Sequence, residues 1–510
     1  MTLTGLFTGL ALASGAWAVP LYSRENTSGI NWGPCDFESA TTGPIECATF
    51  AVPLDYTDAE STETLKLSLI KSPSRSNTTS VKKSILFNFG GPGYGAVSSL
   101  NSGADAFHFM TGGQHDLIAF DPRGTEKTLT FSCFNTSTER EIAGLKYPYL
   151  PVDAYETALA ETYAGAQATS NICRAKYEGD HSPEFIGTAF VARDLMSVVD
   201  ALDEDGLLRF WGMSYGSLLG ATVAAMFPDR MDRLVLDGVV NAHNYYHHLG
   251  IDIDQFLTAD SGFRAILAAC VEAGPEKCAL ASLTSDAAEL ETILRGVADK
   301  YGKNPVAVGT TIINSRLVRE LLFIVIKYTG GIATAATHLT NLVTGTNLTE
   351  VAAYYDGLLG GVSVDNDSMM GIKCSDTFLR VDSIEGIKPD VEHMLQTSEI
   401  FAPLLASIAA QCANWPWAAK ERYGGPWEGI KTKNPVLWFG NTYDPATPLA
   451  SAKNMSAGFE GSVVVEQRGF GHATLSQMSN CTAKIMSGYF NLGTLPADGT
   501  VCEVNDPLFK

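Results

Sequence analysis

Two spacings of hydrophobic residues alternate along the chain. Short β-branched or apolar runs that stop at Gly, Pro or Asp occupy 83–89, 116–120, 208–211 and 233–236, and recur at 435–439 and 462–466. Runs of that length, apolar on both faces, predict strands buried in a mostly parallel sheet. Between them 188–202 places apolar residues at helical period, and 217–227 is a run of small residues that predicts a helix directly after a strand. From about 240 to 429 the pattern changes to Ala and Leu at helical spacing, at 263–271, 286–297, 317–328 and 333–342, with few strand signals. The alternation predicts an α/β fold with helices on both faces of the sheet. Residues 19–240 supply the first part of the core, 241–429 a mainly helical cap inserted between two strands, and 430–510 the rest of the core.

Composition adds compartment and excludes some partners. With 510 residues and 45% hydrophobic content the chain can bury a large core, and it exceeds one ordinary compact domain, in keeping with the insertion. A net charge of -21 and the lack of clustered Lys and Arg exclude nucleic acid, whose binding rests on neutralising phosphates. The apolar stretch 3–18 is too short to cross a bilayer and closes on Ala16-Trp17-Ala18, so 1–18 is expected to be a secretory signal and the protein extracellular. No later apolar run reaches the ~18 residues a membrane anchor needs. Ten cysteines without a CxxC pair suit disulfides better than zinc, and near-neighbour pairing gives Cys35 with Cys47, Cys133 with Cys173, Cys270 with Cys278, Cys374 with Cys412 and Cys481 with Cys502. Sequons stand at Asn26, Asn77, Asn135, Asn347, Asn366, Asn454 and Asn480.

The motif richest in chemistry is Gly212-Met213-Ser214-Tyr215-Gly216, set between a predicted strand and a predicted helix. A serine on so sharp a turn sits in strained backbone, and glycine two residues to either side leaves room for it. Its hydroxyl is a weak nucleophile, so a histidine must take the proton and an acid must fix that histidine's tautomer. Of the histidines that follow, His472 in Gly469-Phe470-Gly471-His472 sits just after a core strand, whereas His243, His247 and His248 read as a polar surface segment and His338 and His393 fall in helical patterns. No HExxH pattern or other ligand set suggests a metal, and no cofactor is expected. Asp444 follows the strand at 435–439 in a turn-rich loop, where open α/β sheets place their sites. Asp237 also closes a strand and is the rival acid. The oxyanion of an acyl-transfer intermediate needs two N–H donors: Tyr215, next to the serine, and Gly91 in Asn88-Phe89-Gly90-Gly91-Pro92-Gly93.

With these motifs the chain resembles the secreted tripeptidyl aminopeptidase-like branch of the prolyl aminopeptidase family of α/β hydrolases. The resemblance is carried by Gly90-Gly91-Pro92-Gly93, by Phe120-Asp121-Pro122-Arg123-Gly124, and by segments running from Trp211 to Val240. It continues in Asp444-Pro445-Ala446-Thr447-Pro448, in Gly471-His472 and in the tail from Gly493 to Glu503. It implies the same triad, Ser214, Asp444 and His472. Phe89 and Tyr94-Gly95 depart from the usual residues around the glycine pair, which bears on substrate scope more than on chemistry.

The resemblance implies an exopeptidase that releases a short N-terminal fragment through an acyl-enzyme on Ser214. Such an enzyme must count from a free amine, and Asp376, in the family-like Cys374-Ser375-Asp376, is the candidate cap carboxylate for that ammonium. An esterase, thioesterase or lactone hydrolase on small molecules would use the same triad, and a binding module would have no need of it. The expected partner is a peptide or a small ester, with no nucleic acid and no membrane anchor.

Overall fold

The computed structural model describes residues 29–76, 82–361, 366–412 and 414–510. The expected signal segment and the sequons at Asn26 and Asn77 lie outside the described residues. Asn135, Asn347, Asn454 and Asn480 are exposed.

The strands in chain order are β1 Glu46–Pro53, β2 Thr64–Ser72, β3 Lys82–Asn88, β4 His115–Phe120, β5 Leu208–Met213, β6 Met231–Asp237, β7 Val306–Val308, β8 Thr311–Ile313, β9 Leu437–Tyr443, β10 Val463–Phe470 and β11 Val501–Glu503. Nine of them make one sheet in the order β1-β2-β4-β3-β5-β6-β9-β10-β11, and β7 pairs with β8 as a separate hairpin. β1 and β2 run antiparallel to their neighbours, and every pairing from β4 to β11 is parallel. The parallel strands other than the short β11 are those whose apolar runs were legible. β1 and β2 alternate instead, with burial switching residue by residue in Thr64–Ser72, because an outer antiparallel strand has one face in water.

Successive residues of the central strands enter opposite cores. Leu86, Phe210, Leu234, Leu236 and Trp438 pack on one face with Leu218, Leu219 and Val191. Ile85, Phe87, Trp211, Val235, Leu437 and Phe439 pack on the other with Leu100, Phe107 and Met486. Both faces are therefore dry.

Between β6 and β9 the chain runs through helices that include Ala259–Ala273, Ala287–Lys303, Ser315–Lys327, Ile332–Thr344, Leu348–Gly361, Asn366–Asp376 and Ile384–Thr397, plus the β7–β8 hairpin. Ser315–Lys327 is typical of their logic. Asn314 caps it by accepting the Leu317 amide at 3.0 Å, and Leu317, Val318, Leu321, Leu322, Val325 and Ile326 form its buried stripe. The five cysteine pairs are those expected from near-neighbour order.

The Asp-Pro-Arg-Gly segment after β4 ties the two halves of the sheet's front end together. Arg123 is fully buried and its guanidinium forms a two-pronged pair with Asp194, at 2.6 and 2.8 Å, on the helix Thr188–Ala201. Its three remaining N–H groups donate to the carbonyls of Pro53 and Leu54 at the end of β1 and, at 3.4 Å, of Phe185, and Tyr56 and Phe190 cover it. Every donor that burial strips of water thus finds an acceptor. Removing one partner leaves the other charge buried and alone, a loss of about 3–5 kcal/mol. In urea unfolding, Arg123→Met and Asp194→Asn are each expected to lose that amount, while Arg123→Met combined with Asp194→Leu recovers much of it. A single Arg123→Met within 1 kcal/mol of wild type would contradict this account of the segment.

Candidate active site

The sheet's order reverses at β3, which lies between β4 and β5; at such a point open α/β sheets bind their ligands, in the crevice beyond the carboxyl ends of the strands. β5 ends at Met213, and Ser214 stands alone before the helix Tyr215–Met226 with φ 55 and ψ −126. A non-glycine residue there costs on the order of 1–3 kcal/mol and persists only if its surroundings leave no alternative. Here they leave none. The Ser214 amide donates to the Asp237 carbonyl at 3.0 Å, and its carbonyl accepts from the Ser217 amide at 2.8 Å. A methyl group on Gly212 would fall 2.1 Å from the Gly216 carbonyl oxygen, and one on Gly216 would fall 2.2 Å from that of Asn88. Both glycines of the motif are thus demanded by backbone contact.

The loop after β3 presses on the same turn. Gly90, at φ 102, lies so close that a Cβ there would meet the Ser214 Cβ at 2.8 Å and the Tyr215 nitrogen at 3.2 Å. Gly91 follows at φ 108, with the Tyr94 ring packed against it. The structure therefore places the Gly90-Gly91 backbone beside the Ser214-Tyr215 backbone, the neighbourhood two oxyanion donors require.

From the other side β9 and β10 deliver the acid and the histidine. His472 Nδ1 is 3.1 Å from both Asp444 oxygens and 3.0 Å from Thr447 Oγ1. Asp444 is fully buried and also accepts the amides of Ala446, Thr447 and Ala473 at 2.8–2.9 Å and the Thr447 hydroxyl at 2.7 Å. Burial pushes its carboxyl up, but His472, the Ala473 amide and Thr447 outweigh that and hold it below the usual carboxylate range. An ionised Asp444 keeps the proton on Nδ1 and leaves Nε2 as the basic nitrogen.

The histidine's loop is held from several elements. Its amide donates to the Lys327 carbonyl at 2.9 Å, one of the orphan acceptors at the end of helix Ser315–Lys327. Asn441 Nδ2 donates to the carbonyls of Gly471 and Ala473, and Ala473 itself is at φ 63. The rival acid, Asp237, does not bond the ring. It accepts the Thr474 amide at 3.0 Å and hydroxyl at 2.6 Å, and burial pushes its carboxyl up to about 6. Two buried acids therefore divide the work: Asp444 bonds the imidazole and Asp237 anchors the backbone two residues beyond it. Thr447 and Asn441 escaped sequence reasoning, although Thr447 lies in a motif already singled out and Asn441 near the end of β9, three residues before Asp444.

Asp376 is a correction. It was expected to stand open to an ammonium, yet it is fully buried at the end of helix Asn366–Asp376. Its oxygens accept the Thr188 amide at 2.9 Å, the Thr188 hydroxyl at 2.5 Å and the Tyr245 hydroxyl at 3.0 Å. Burial pushes its carboxyl up to about 6 against those bonds and the nearby Lys373. The misreading has a simple cause: a helix-terminal Asp beside a cysteine looks the same in sequence whether it faces solvent or the interior. The remaining histidines are engaged elsewhere, His247 with the Gly424 carbonyl, His248 with Asp390, His393 with Asp254, and His338 stacked on Tyr354, while the nearest acid to His243 is Glu428 at 3.9 Å. Among the described residues no group of His, Cys, Asp and Glu is arranged to hold a metal.

The chain was compared with known proteins. Residues 83–269 match the family model of the α/β-hydrolase fold, and residues 398–502 match that of the TAP-like protein. A tripeptidyl aminopeptidase of Streptomyces lividans is 27% identical over 230 residues, 43% of this chain and 40% of that protein, and its Streptomyces coelicolor counterpart is equally similar. The chain thus spans about two fifths of the length of these relatives. The serine protease Hip1 of Mycobacterium tuberculosis is 24% identical over 506 residues, 93% of this chain and 91% of its own. The fold, the two family matches and this set of motifs agree: the chain has the α/β-hydrolase fold and is similar to the TAP-like proteins.

Proposed function

We propose that the protein is a secreted serine peptidase that removes short N-terminal fragments from peptides, with residues 241–429 as a cap over its site. One observation carries the hydrolytic part: a buried Asp444 bonded to His472 Nδ1 and a serine locked in a strained turn are both tied to Asp237, whose carbonyl accepts the Ser214 amide and whose carboxylate accepts the Thr474 amide. In this reading Ser214 attacks the scissile carbonyl while His472 Nε2 takes its proton. The amides of Gly91 and Tyr215 meet the oxyanion that forms. His472 then hands the proton to the leaving amine, and an acyl-enzyme remains on Ser214. Water, activated by the same nitrogen, hydrolyses that ester and restores the serine.

The peptidase part is supported by the named activities of the Streptomyces and Mycobacterium relatives, and the extracellular location by five disulfides with no free cysteine among the described residues. Two expectations follow. Ser214→Ala and His472→Ala should each lower turnover by roughly 10⁴-fold or more, because nucleophile and base act as one unit, and fluorophosphonate should label the wild type but not Ser214→Ala. Labelling at another serine would overturn the assignment. A peptide with a free amine should be cleaved at least tenfold faster, in kcat/KM, than its acetylated form. Equal rates would refute the exopeptidase reading, and rapid turnover of neutral esters without peptide cleavage would replace it with a small-molecule esterase.

A further inference from the structure

The helix Asn366–Asp376 meets the neighbours of both proposed oxyanion donors, Gly93 near its start and Thr188 at its end. At its start, Gly93 of the loop after β3 lies against the helix backbone so closely that a Cβ there would fall 2.6 Å from the Met369 nitrogen and 3.1 Å from the Ser368 carbonyl carbon. Ser368 Oγ donates to the carbonyls of Gly124 at 2.6 Å and Phe131 at 3.1 Å, and Asp367 accepts the Cys133 amide at 3.0 Å, so this first turn is fixed in place. At its end, Asp376 grips Thr188, and the Thr188 hydroxyl is 2.6 Å from the hydroxyl of Tyr215. Tyr215 is the residue after the nucleophile.

The protons along this chain have one consistent arrangement. Thr188 has a single hydroxyl proton, and it goes to the Asp376 carboxylate. The Tyr215 hydroxyl must then donate to Thr188 Oγ1. Tyr245 supplies the carboxylate's third bond. The ring of Tyr215 is therefore tethered through its hydroxyl while its own backbone N–H lies beside Ser214. Thr188 opens its helix after Gly187, whose side chain cannot cap it, so the carboxylate from the other helix fills that role as well. Gly187 leaves the room required: a Cβ there would meet Asp376 Oδ1 at 2.9 Å and the Ala419 Cβ at 2.5 Å. Behind Asp376, the Cys374–Cys412 disulfide and the Lys373 ammonium, bonded to the carbonyls of Tyr245 and His248, keep the helix from sliding.

We infer that this helix is a strut that sets the separation of the two oxyanion-hole donors, Gly91 through the Gly93 contact and Tyr215 through the Asp376–Thr188 chain. Asp376 is its positioning residue. The inference rests on the hydrolase reading of Ser214, but not on the choice between peptide and ester. It also gives the family-like Cys-Ser-Asp segment a role that an exposed carboxylate would not have. Misplacing a donor weakens the transition state and leaves substrate binding alone, so the signature is a loss of kcat at constant KM.

The test measures p-nitrophenyl acetate hydrolysis, and inhibition by a phenylboronic acid as a tetrahedral analogue, in Tyr215→Phe, Thr188→Val, Asp376→Asn and the double variant Tyr215→Phe/Asp376→Asn. Tyr215→Phe keeps the ring and its packing, and it serves as the decisive variant if Asp376→Asn does not fold. Tyr215→Phe is expected to lower kcat by about tenfold to a hundredfold with KM within twofold, and to weaken the boronate in parallel. The double variant should be no worse than the worse single one, because one chain is broken once or twice with the same result. Full kcat in folded Tyr215→Phe, or multiplying losses in the double variant, would overturn the strut while leaving the triad intact. A wild type that neither hydrolyses the ester nor takes up fluorophosphonate would instead overturn the hydrolase reading, and the strut with it.

Discussion

Three backbone segments converge on one residue, and the rest of the site depends on that convergence. Gly212 approaches Gly216 across the turn, Gly216 approaches Asn88 of the neighbouring strand, and Gly90 rests on Ser214 itself. None of these distances tolerates a side chain. The left-handed backbone of Ser214 is thus a consequence of packing that only glycine permits, and the cost of that conformation is spread over β3, β5 and the helix after β5. The same contacts bring the loop after β3 against the amide of Tyr215, so the geometry that strains the serine also fixes the backbone around it. Loosening one would disperse the other.

The histidine arrives by an independent route. β9 and β10 lie beyond β6, and of the two buried acids there Asp237 ties their loops to the serine's side while Asp444 ties the two loops to each other. Asp237, whose own carbonyl holds the Ser214 amide, reaches with its carboxylate to Thr474, while Asp444 reaches to His472 and Ala473. Asp237 therefore has one hand on each side of the crevice. The segment between β6 and β9 reaches the same loops: the Lys327 carbonyl that ends one of its helices accepts the His472 amide, the Thr329 hydroxyl donates to the Ser476 carbonyl, and the Thr258 hydroxyl donates to the Asp444 carbonyl. The order of the histidine's loop is thus coupled to the packing of that segment.

Sequence carried the parallel strands well because strands buried on both faces are apolar without interruption, and it carried Ser214, Asp444 and His472 because each sits in a loop at the end of such a strand. It carried β1 and β2 poorly, since alternation over so few residues resembles any half-exposed segment. The error over Asp376 is of a different kind. Whether a carboxylate faces solvent or interior is decided by Thr188, Tyr245 and Gly187, which lie more than a hundred residues away in the chain, and local composition holds no trace of them. Thr447 and Asn441 were overlooked for the opposite reason: they are local, but a small polar residue in a turn or near the end of a strand looks like a turn former until the histidine's loop is seen to depend on it.

The order of the cysteine pairs along the chain has a bearing on how such a protein is made. The pairs follow one another without nesting or crossing, separated by 12, 40, 8, 38 and 21 residues. In an oxidising compartment each cysteine would meet its native partner before the next pair had emerged from the ribosome, so that pairing in order of appearance is already the native connectivity. Although β6 and β9 cannot meet until some two hundred intervening residues exist, no covalent bond has to wait for them, and the long-range sheet can assemble from segments that are already stapled.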